Sequence, residues 1–269
     1  MRSISERIFD GFLGGLVILM LMVLYAPVVI GAIFSVVPVE RGAPVWQTPT
    51  LEWYVALWHN QSVLDAIKTT VMIGSVSVLI ATIIAVVIAL YVNWQGAVGR
   101  RVLELVVYLP FLVPPLITGL SMLVFFADIG LTRGTLTLAL GHIAFVMAVI
   151  YRLVSTRLST LSPSLVAASA DLGASGWQTF RYVLWPHLSS AVLTGAILAM
   201  TLSFDETFIS VFLSGDATTL PLRLWGMARL GFSPEINALV TIILAVSIVL
   251  AIIIGLRMKP QDVAAQDEY

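Results

Sequence analysis

Long apolar runs without a charged side chain alternate with short polar segments along this chain. Six of these runs reach the length, about 18 residues, that predicts a membrane-spanning helix. They are Gly11–Val39, Thr69–Gly99, Leu105–Ala127, Gly134–Tyr151, Tyr182–Phe204 and Ile236–Leu256. We expect the fifth helix to start near Leu188 and to continue past Asp205 to about Leu213. The pattern predicts an all-α membrane protein with six transmembrane helices, forming a single domain over residues 1–269.

The composition agrees with a location in membrane lipid. Apolar residues make up 59% of the chain and charged residues 11%, whereas soluble domains average roughly 45–50% and 25%. The chain has no cysteine, which excludes disulfides and thiolate–metal chemistry. Its net charge of −1 and the absence of a basic cluster give no indication of nucleic-acid binding. The sequence predicts no cofactor and no metal site.

The distribution of lysine and arginine predicts the orientation of the helices. If the N-terminus is cytoplasmic, nine basic residues lie inside and five outside, which favours two cytoplasmic termini. The inside group is Arg2, Arg7, Arg100, Arg101, Arg152, Arg157, Arg181, Arg257 and Lys259, and the outside group is Arg41, Lys68, Arg133, Arg223 and Arg229.

One of the most polar segments, residues 165–186, lies between two apolar runs on the predicted cytoplasmic side. A helix-forming half runs to Leu172, Gly173 breaks it, and an amphipathic segment follows to Pro186. Two short helices that meet at a glycine predict a compact knob that docks into another protein. The alternative is an ordinary interhelical loop with a glycine that stops a helix.

This segment resembles the cytoplasmic coupling loop, or EAA loop, of ABC-importer permeases. In that family the glycine lies between two helices, and the knob fits a cleft on the ATPase subunit. The matching positions are Ala168, Asp171, Leu172, Gly173, Ala174, Ser175, Phe180, Arg181, Val183 and Pro186. Three positions differ: the acid of the family falls on Ala167, its second alanine on Ser169 and its leucine before the proline on Trp185. The resemblance implies an ATPase-coupling loop at residues 154–187, in which Ala167 cannot form the polar interaction of the family's acid.

Three prolines interrupt the third apolar run, at Pro110, Pro114 and Pro115. Prolines free backbone carbonyls and bend a helix, which is tolerated in lipid only where neighbours or a cavity supply partners. We therefore expect one kinked helix, which either lines a solute path or only satisfies packing. A resemblance of this run to polyamine-type permeases favours the path and makes Pro114 and Pro115 candidate pathway residues.

Two adjacent acids end the fifth apolar run, in the sequence Ser203-Phe204-Asp205-Glu206. Carboxylates within a membrane are costly and usually face a polar path or a partner. On a helix, neighbouring side chains point about 100° apart, so we expect only one of the two acids to face the path. Phe204, Asp205 and Glu206 are candidate pathway residues, and the alternative is a pair of acids satisfied by neighbouring helices.

His142 is a candidate for a buried hydrogen-bonding group rather than a metal ligand. His59 and His187 are in or beside loops, and three such scattered histidines do not form a ligand cluster. The sequence also has no phosphate-binding glycine-rich loop with lysine, no nucleophile elbow and no HExxH motif. We therefore expect that the chain is not an enzyme and that ATP is hydrolysed on another polypeptide.

The sequence from 203 to 238 resembles the spermidine/putrescine branch of the ABC permeases. The resemblance rests on Ser-Phe-Asp at 203–205, Thr-Thr-Leu-Pro at 218–221 and Ser-Pro-Glu-Ile-Asn-Ala at 233–238. It implies a type I ABC-importer permease fold in a bacterial inner membrane. The implied partners are a second, different permease subunit, two copies of an ATPase subunit and a periplasmic solute-binding protein.

The expected solute is a polyamine, because acids in the path suit a cation and because of this resemblance. Related permeases carry amino-acid derivatives, opines, thiamine or iron complexes, and these stay open as alternative solutes. A different alternative is a secondary transporter in which Asp205 and Glu206 carry protons.

Overall fold

The computed structural model describes residues 4–40, 43–46, 48–94, 96–230 and 234–257. Helices account for almost all of it. In chain order they are α1 (Ile4–Phe34), α2 (Glu52–His59), α3 (Gln61–Asn93), α4 (Arg100–Leu112), α5 (Pro115–Asp128), α6 (Thr135–Ser159), α7 (Pro163–Asp171), α8 (Gly176–Gln178), a π-helix (Thr179–Leu184), α9 (Trp185–Asp205), α10 (Phe208–Leu213), α11 (Leu220–Leu230) and α12 (Pro234–Arg257). Two strands of two residues, β1 (Val39–Glu40) and β2 (Ala43–Pro44), pair antiparallel between α1 and α2.

Four of the described helices are long and apolar enough to cross a membrane. These spans are Phe9–Phe34 in α1, Gln61–Asn93, Thr135–Ser159 and the continuous segment Gly176–Asp205. The bent pair α4–α5 passes the same test when its two helices are taken together, and α12 contains a shorter apolar segment, Glu235–Val249. Each of the six predicted apolar runs therefore corresponds to one helix, one bent pair or one shorter apolar helix.

The chain forms two compact units, and the first contains residues 1–61 and 227–269. In it, α12 packs against α1 and α2. The Tyr54 hydroxyl group lies 2.7 Å from Ser35 Oγ, and the Trp53 indole N–H donates to the Val37 carbonyl at 3.3 Å. Asn60 Nδ2 donates to Glu235 Oε2 at 3.3 Å, which ties the end of α2 to the first turn of α12.

The second unit, residues 62–226, contains the larger hydrophobic core, and α6 lies at its centre. Helix α6 packs against α4, α5, α9 and α10. It closely approaches α9, where a Cβ added to Gly195 would lie 3.2 Å from Ile150 Cα. Fully buried side chains of this core include Ile73, Leu138, Ile150, Tyr151, Leu188, Ile209 and Leu213. Small residues thus let backbones approach closely, as is usual between helices in lipid.

The third predicted helix is not one kinked helix, because it breaks into α4 and α5, which meet at 112°. A residue that precedes a proline is disfavoured in the helical region. Val113 precedes Pro114, and Pro114 precedes Pro115, so the restriction acts on two consecutive residues. Both are extended, with ψ of 137° at Val113 and 134° at Pro114. Two adjacent prolines therefore end one helix and start the next, instead of bending a single helix.

The prediction that the fifth helix continues past Asp205 to Leu213 is also wrong. Helix α9 ends at Asp205, Glu206 is extended with ψ at 104°, and α10 begins at Phe208. The expectation of a 100° angle between the two acids fails with it, because Glu206 is not helical. No proline causes this break, which is instead stabilised by side-chain and backbone contacts of Glu206 described below.

Candidate functional site

The first arm of the loop at 154–187 is helix α7. Its start is fixed by Ser162, whose hydroxyl oxygen accepts from the Ser164 N–H at 3.4 Å, and by Pro163 at the first helical position. Proline suits this position because its missing N–H would have no helical partner there. The helix ends at Asp171.

Gly173 ends this arm with a Schellman motif. Its N–H donates to the Ala170 carbonyl at 2.8 Å, and the Ala174 N–H donates to the Ser169 carbonyl at 3.1 Å. The motif requires a left-handed residue between helix and exit, and Gly173 has φ of +80°. The predicted helix–glycine–helix arrangement is confirmed at this position.

The second arm starts with a capping box and continues directly into α9. The Gln178 N–H donates to Ser175 Oγ at 3.3 Å, and the Ser175 N–H donates to Gln178 Oε1 at 2.7 Å. A π-helix follows, in which the Trp185 N–H donates to the Phe180 carbonyl. The wider turn immediately precedes Pro186, which cannot donate to a carbonyl four residues earlier.

Two of the residues that depart from the family pattern form contacts in the loop: Ser169 joins the two arms, and Trp185 packs within the second arm. Ser169 Oγ and Thr179 Oγ1 lie 2.5 Å apart, and both side chains are buried. The Phe180 ring lies 5.5 Å from that of Trp177 and 5.9 Å from that of Trp185, measured between centroids. Ser169 and Trp185 therefore both stabilise the loop, which the sequence pattern did not reveal.

The outer surface of the loop exposes large apolar side chains among polar ones. Leu172 is 89% exposed and Trp177 is 70% exposed. Ala167, Ala168 and Asp171 are exposed as well. At the base, Arg157 Nε donates to the His187 carbonyl at 3.1 Å, which fastens the end of α6 to the start of α9. The loop is therefore fixed at its base and exposes Leu172 and Trp177 to solvent.

The two helix breaks of the second unit are connected, because α5 packs against α10. A Cβ added to Gly119 would lie 3.0 Å from Ile209 Cα, so the two backbones are in close contact. The Thr118 hydroxyl group donates to the Pro110 carbonyl at 3.4 Å. In a regular helix the Pro110 carbonyl would accept from the N–H four residues later. That residue is Pro114, which has no N–H. Pro114 is exposed and Pro115 half-buried at the start of α5.

The two acids at the second break have different surroundings. Glu206 is 6% exposed, and its Oε1 accepts from the Ile209 N–H at 2.9 Å, which caps the first turn of α10. Its carbonyl also accepts from Ser210 Oγ at 2.9 Å. Asp205 is exposed, as is the neighbouring Phe204, whose ring packs against Gly74 of α3.

His142 bridges the second break from α6. The side chain is 2% exposed, its Nδ1 lies 2.8 Å from Ser203 Oγ and its Nε2 lies 3.2 Å from Ser210 Oγ. These serines lie in α9 and α10, on either side of Glu206, and sequence reasoning gave them no role. The prediction of a buried, hydrogen-bonded histidine is confirmed. No group of three or more metal-binding side chains converges in the part of the chain that the structure describes.

Residues 77–259 match the family described as the binding-protein-dependent transport system inner membrane component. The chain belongs to this family. It is 34% identical to the putrescine transport system permease protein PotI of Escherichia coli, over 84% of this chain and 83% of that protein. It is 31% identical to the spermidine/putrescine transport system permease protein PotC of Escherichia coli, over 89% of this chain and 90% of that protein.

The fold is similar to that of a chain in the crystal structure of a bacterial ABC transporter involved in the import of the acidic polysaccharide alginate. The TM-score is 0.74 at 19% identity, covering 96% of this chain and 99% of the other. The family and the fold confirm that this is an all-α, multi-pass permease subunit of an ABC importer and not an enzyme. The secondary-transporter alternative is thereby excluded.

Proposed function

We propose that this chain forms half of the translocation pathway of an ATP-driven polyamine importer in a bacterial inner membrane. In this proposal it is one permease domain of residues 1–269, with six transmembrane helices and both termini cytoplasmic. A different permease subunit completes the pathway, two ATPase copies bind below it, and a periplasmic binding protein delivers the solute. The agreement of six apolar runs with six helical elements and the identity to PotI and PotC support it.

The loop at 154–187 is the proposed contact with the ATPase. Its outer surface, with the exposed apolar side chains of Leu172 and Trp177, has the character of a docking surface, because a soluble environment disfavours such side chains. The proposed coupling residues are Ala167, Ala168, Asp171, Leu172, Gly173, Ala174, Phe180 and Pro186. Of these, Gly173 and Phe180 shape the loop, while Leu172 and Asp171 are exposed for contact.

Movement of the loop reaches the membrane through α9. The π-helix joins the second arm to α9 without a break, and the 21 residues of α9 extend roughly 30 Å to Asp205. The Arg157–His187 hydrogen bond and the close α6–α9 contact make α6 move with it. When ATP closes the ATPase dimer, displacement of the loop therefore shifts the helix break at Glu206.

The proposed solute contact at this break is Asp205, with Phe204 beside it and Pro114 and Pro115 at the other break. The observation that carries the assignment is the contrast in exposure: Asp205 is exposed, whereas Glu206 is buried and caps α10. An exposed carboxylate in a wet pathway keeps much of its hydration. Its charge lowers the barrier for a polyamine that crosses a region of low dielectric constant.

Asp205→Asn tests this assignment, because it removes the charge and keeps the shape. We expect ATP-dependent putrescine uptake by the reconstituted complex to fall about tenfold while the subunits stay associated. Glu206→Gln is the matched control and should have the smaller effect, because an amide oxygen still accepts from the Ile209 N–H. Normal uptake and a normal solute range in both variants would show that the two acids are structural and that neither carboxylate assists a cationic solute.

A further inference from the structure

A polar, open cavity of about 280 Å³ lies between α4 and the C-terminal part of α6. Glu104 and Tyr108 line it from α4, and Tyr151, Arg152 and Ser155 are among the residues that line it from α6. A bound water needs only about 10–15 Å³ of such space, so the cavity admits the head of an organic molecule. Spacing by four residues places Glu104 and Tyr108 on one face of α4, and Tyr151 and Ser155 on one face of α6.

The carboxylate in this cavity is held in place but not neutralised. The Tyr151 hydroxyl group donates to Glu104 Oε1 at 3.2 Å, and Tyr151 itself is 1% exposed. The rings of Tyr108 and Tyr151 meet edge to face, with centroids 5.6 Å apart. No described lysine, arginine or histidine side chain forms an ion pair with Glu104. A fixed, half-buried negative charge beside two aromatic rings is thus left open to a ligand.

We propose that this cavity binds a primary ammonium group, with Glu104 as the charged partner and Tyr108 as the aromatic wall, while the buried Tyr151 holds the carboxylate in place. A carboxylate accepts charge-assisted hydrogen bonds from an ammonium group, and aromatic rings attract organic cations. Glu104 is the one carboxylate among the lining residues, and a metal ion is usually held by more charged ligands than that. An anion would be repelled by Glu104. Arg152 also lines the cavity and is exposed, so its charge weakens the binding of a cation and keeps it reversible.

The position of the cavity links occupancy to coupling. Ser155 lies two residues before Arg157, which fastens the base of the loop at 154–187 through the His187 carbonyl. A ligand that bridges α4 and α6 would restrain α6 at the end that must move with the loop. In the proposed orientation, on which this step rests, the cavity opens towards the cytoplasmic side. Accumulated amine would then slow further import.

The ammonium group has two sources on that side, a free amine and the headgroup of phosphatidylethanolamine. Equilibrium binding of radiolabelled putrescine to the permease–ATPase complex, without binding protein and in phosphatidylcholine nanodiscs, tests the free amine. Glu104→Gln should weaken binding roughly tenfold or more, and Arg152→Gln should strengthen it about threefold. Asp128→Asn, which removes an exposed carboxylate at the end of α5, should leave it unchanged.

Nanodiscs that contain phosphatidylethanolamine test the lipid source. If the headgroup enters the cavity, this lipid weakens putrescine binding to the wild type and co-purifies less with Glu104→Gln. Both sets of binding measurements are repeated with variants that also carry Asp205→Asn, so that putrescine bound at Asp205 in the proposed pathway does not add to the signal. The proposal is overturned if Glu104→Gln changes neither putrescine binding nor lipid retention. If the importer carries a solute other than a polyamine, the complex takes up no putrescine, but putrescine still binds in the cavity through Glu104. This outcome distinguishes failure of the proposed function from failure of the cavity proposal.

Discussion

Ser169 explains one departure of this chain from the family pattern. Where the pattern has alanine, its hydroxyl group contacts Thr179 across the loop, and both groups are buried. A buried hydroxyl group that loses its partner is costly, by about 1–3 kcal/mol. A change that looks conservative in a sequence is therefore part of what holds the two arms together here.

Ser169→Ala should loosen the loop, because it leaves Thr179 Oγ1 without this partner. We expect amide hydrogen exchange in residues 163–184 to become about tenfold faster, equivalent to roughly 1.4 kcal/mol. Thr179→Val in the same background removes the second polar group and should restore part of the protection. Equal exchange in the wild type and the single variant would show that the hydrogen bond does not stabilise the loop.

Asp205 and Glu206 could not be told apart in the sequence, since both are acids in an apolar run. Their roles depend on where α9 ends, and the run Phe208–Leu213 continues the apolar pattern without a proline. Only the fold shows that Glu206 caps a new helix while Asp205 stays exposed. Similarly, Glu104 and Tyr151 are 47 residues apart, and only packing of α4 on α6 brings them together.

The packing of α5 on α10 depends on Gly119, and Gly119→Ala should disrupt it. The new Cβ would lie 3.0 Å from Ile209 Cα and 3.3 Å from the Phe208 carbonyl oxygen, so backbone must shift. We expect a loss of about 1–3 kcal/mol in stability, seen as a lower thermal midpoint of the solubilised complex.

The matched control is Gly226→Ala in α11, where an added Cβ meets nothing within 4 Å. Alanine is favoured over glycine in a helix by about 1 kcal/mol, so this variant should be neutral or slightly more stable. Equal destabilisation by both substitutions would mean that the close α5–α10 contact is not the cause.

The loop itself offers a test of the missing acid at Ala167. The side chain is exposed on α7, so a glutamate fits there without disturbing the fold. If the cleft of the ATPase keeps the polar partner that the family acid uses, Ala167→Glu should leave ATPase binding unchanged or strengthen it by about 0.5–1 kcal/mol. Co-purification measures this, and loss of the complex would show that the cleft has a different shape.

Local signals predicted the helical elements well where one residue decides the backbone. Gly173 and Pro186 predicted a loop of two arms, and Pro114 with Pro115 predicted a disturbance of the third apolar run. For the third apolar run the sequence predicted only a kink, whereas the structure has a 112° break between two helices. The break is larger because two consecutive prolines restrict the backbone of two successive residues. The π-helix before Pro186 and the break at Glu206 depend on tertiary contacts, which periodicity does not contain.

Across the second unit, these elements form one mechanical connection. The loop continues through the π-helix into α9, α9 ends at the break with Asp205, and His142 joins both sides of that break to α6. In the proposed mechanism, energy from ATP reaches the pathway through the shape of the loop, in which Gly173 has a φ of +80°.

The most direct test is the number of putrescine molecules imported per ATP hydrolysed, measured with Gly173→Val in proteoliposomes that contain the complete importer. Space does not oppose the new side chain, since a Cβ meets nothing within 4 Å, but a left-handed backbone strains valine by about 1–2 kcal/mol or more. Gly173→Asn is the control, because asparagine tolerates this conformation. We predict that the asparagine variant stays coupled, whereas the valine variant keeps its ATPase bound and imports about tenfold less solute per ATP. A normal ratio for Gly173→Val with the ATPase bound would contradict the coupling role of the loop.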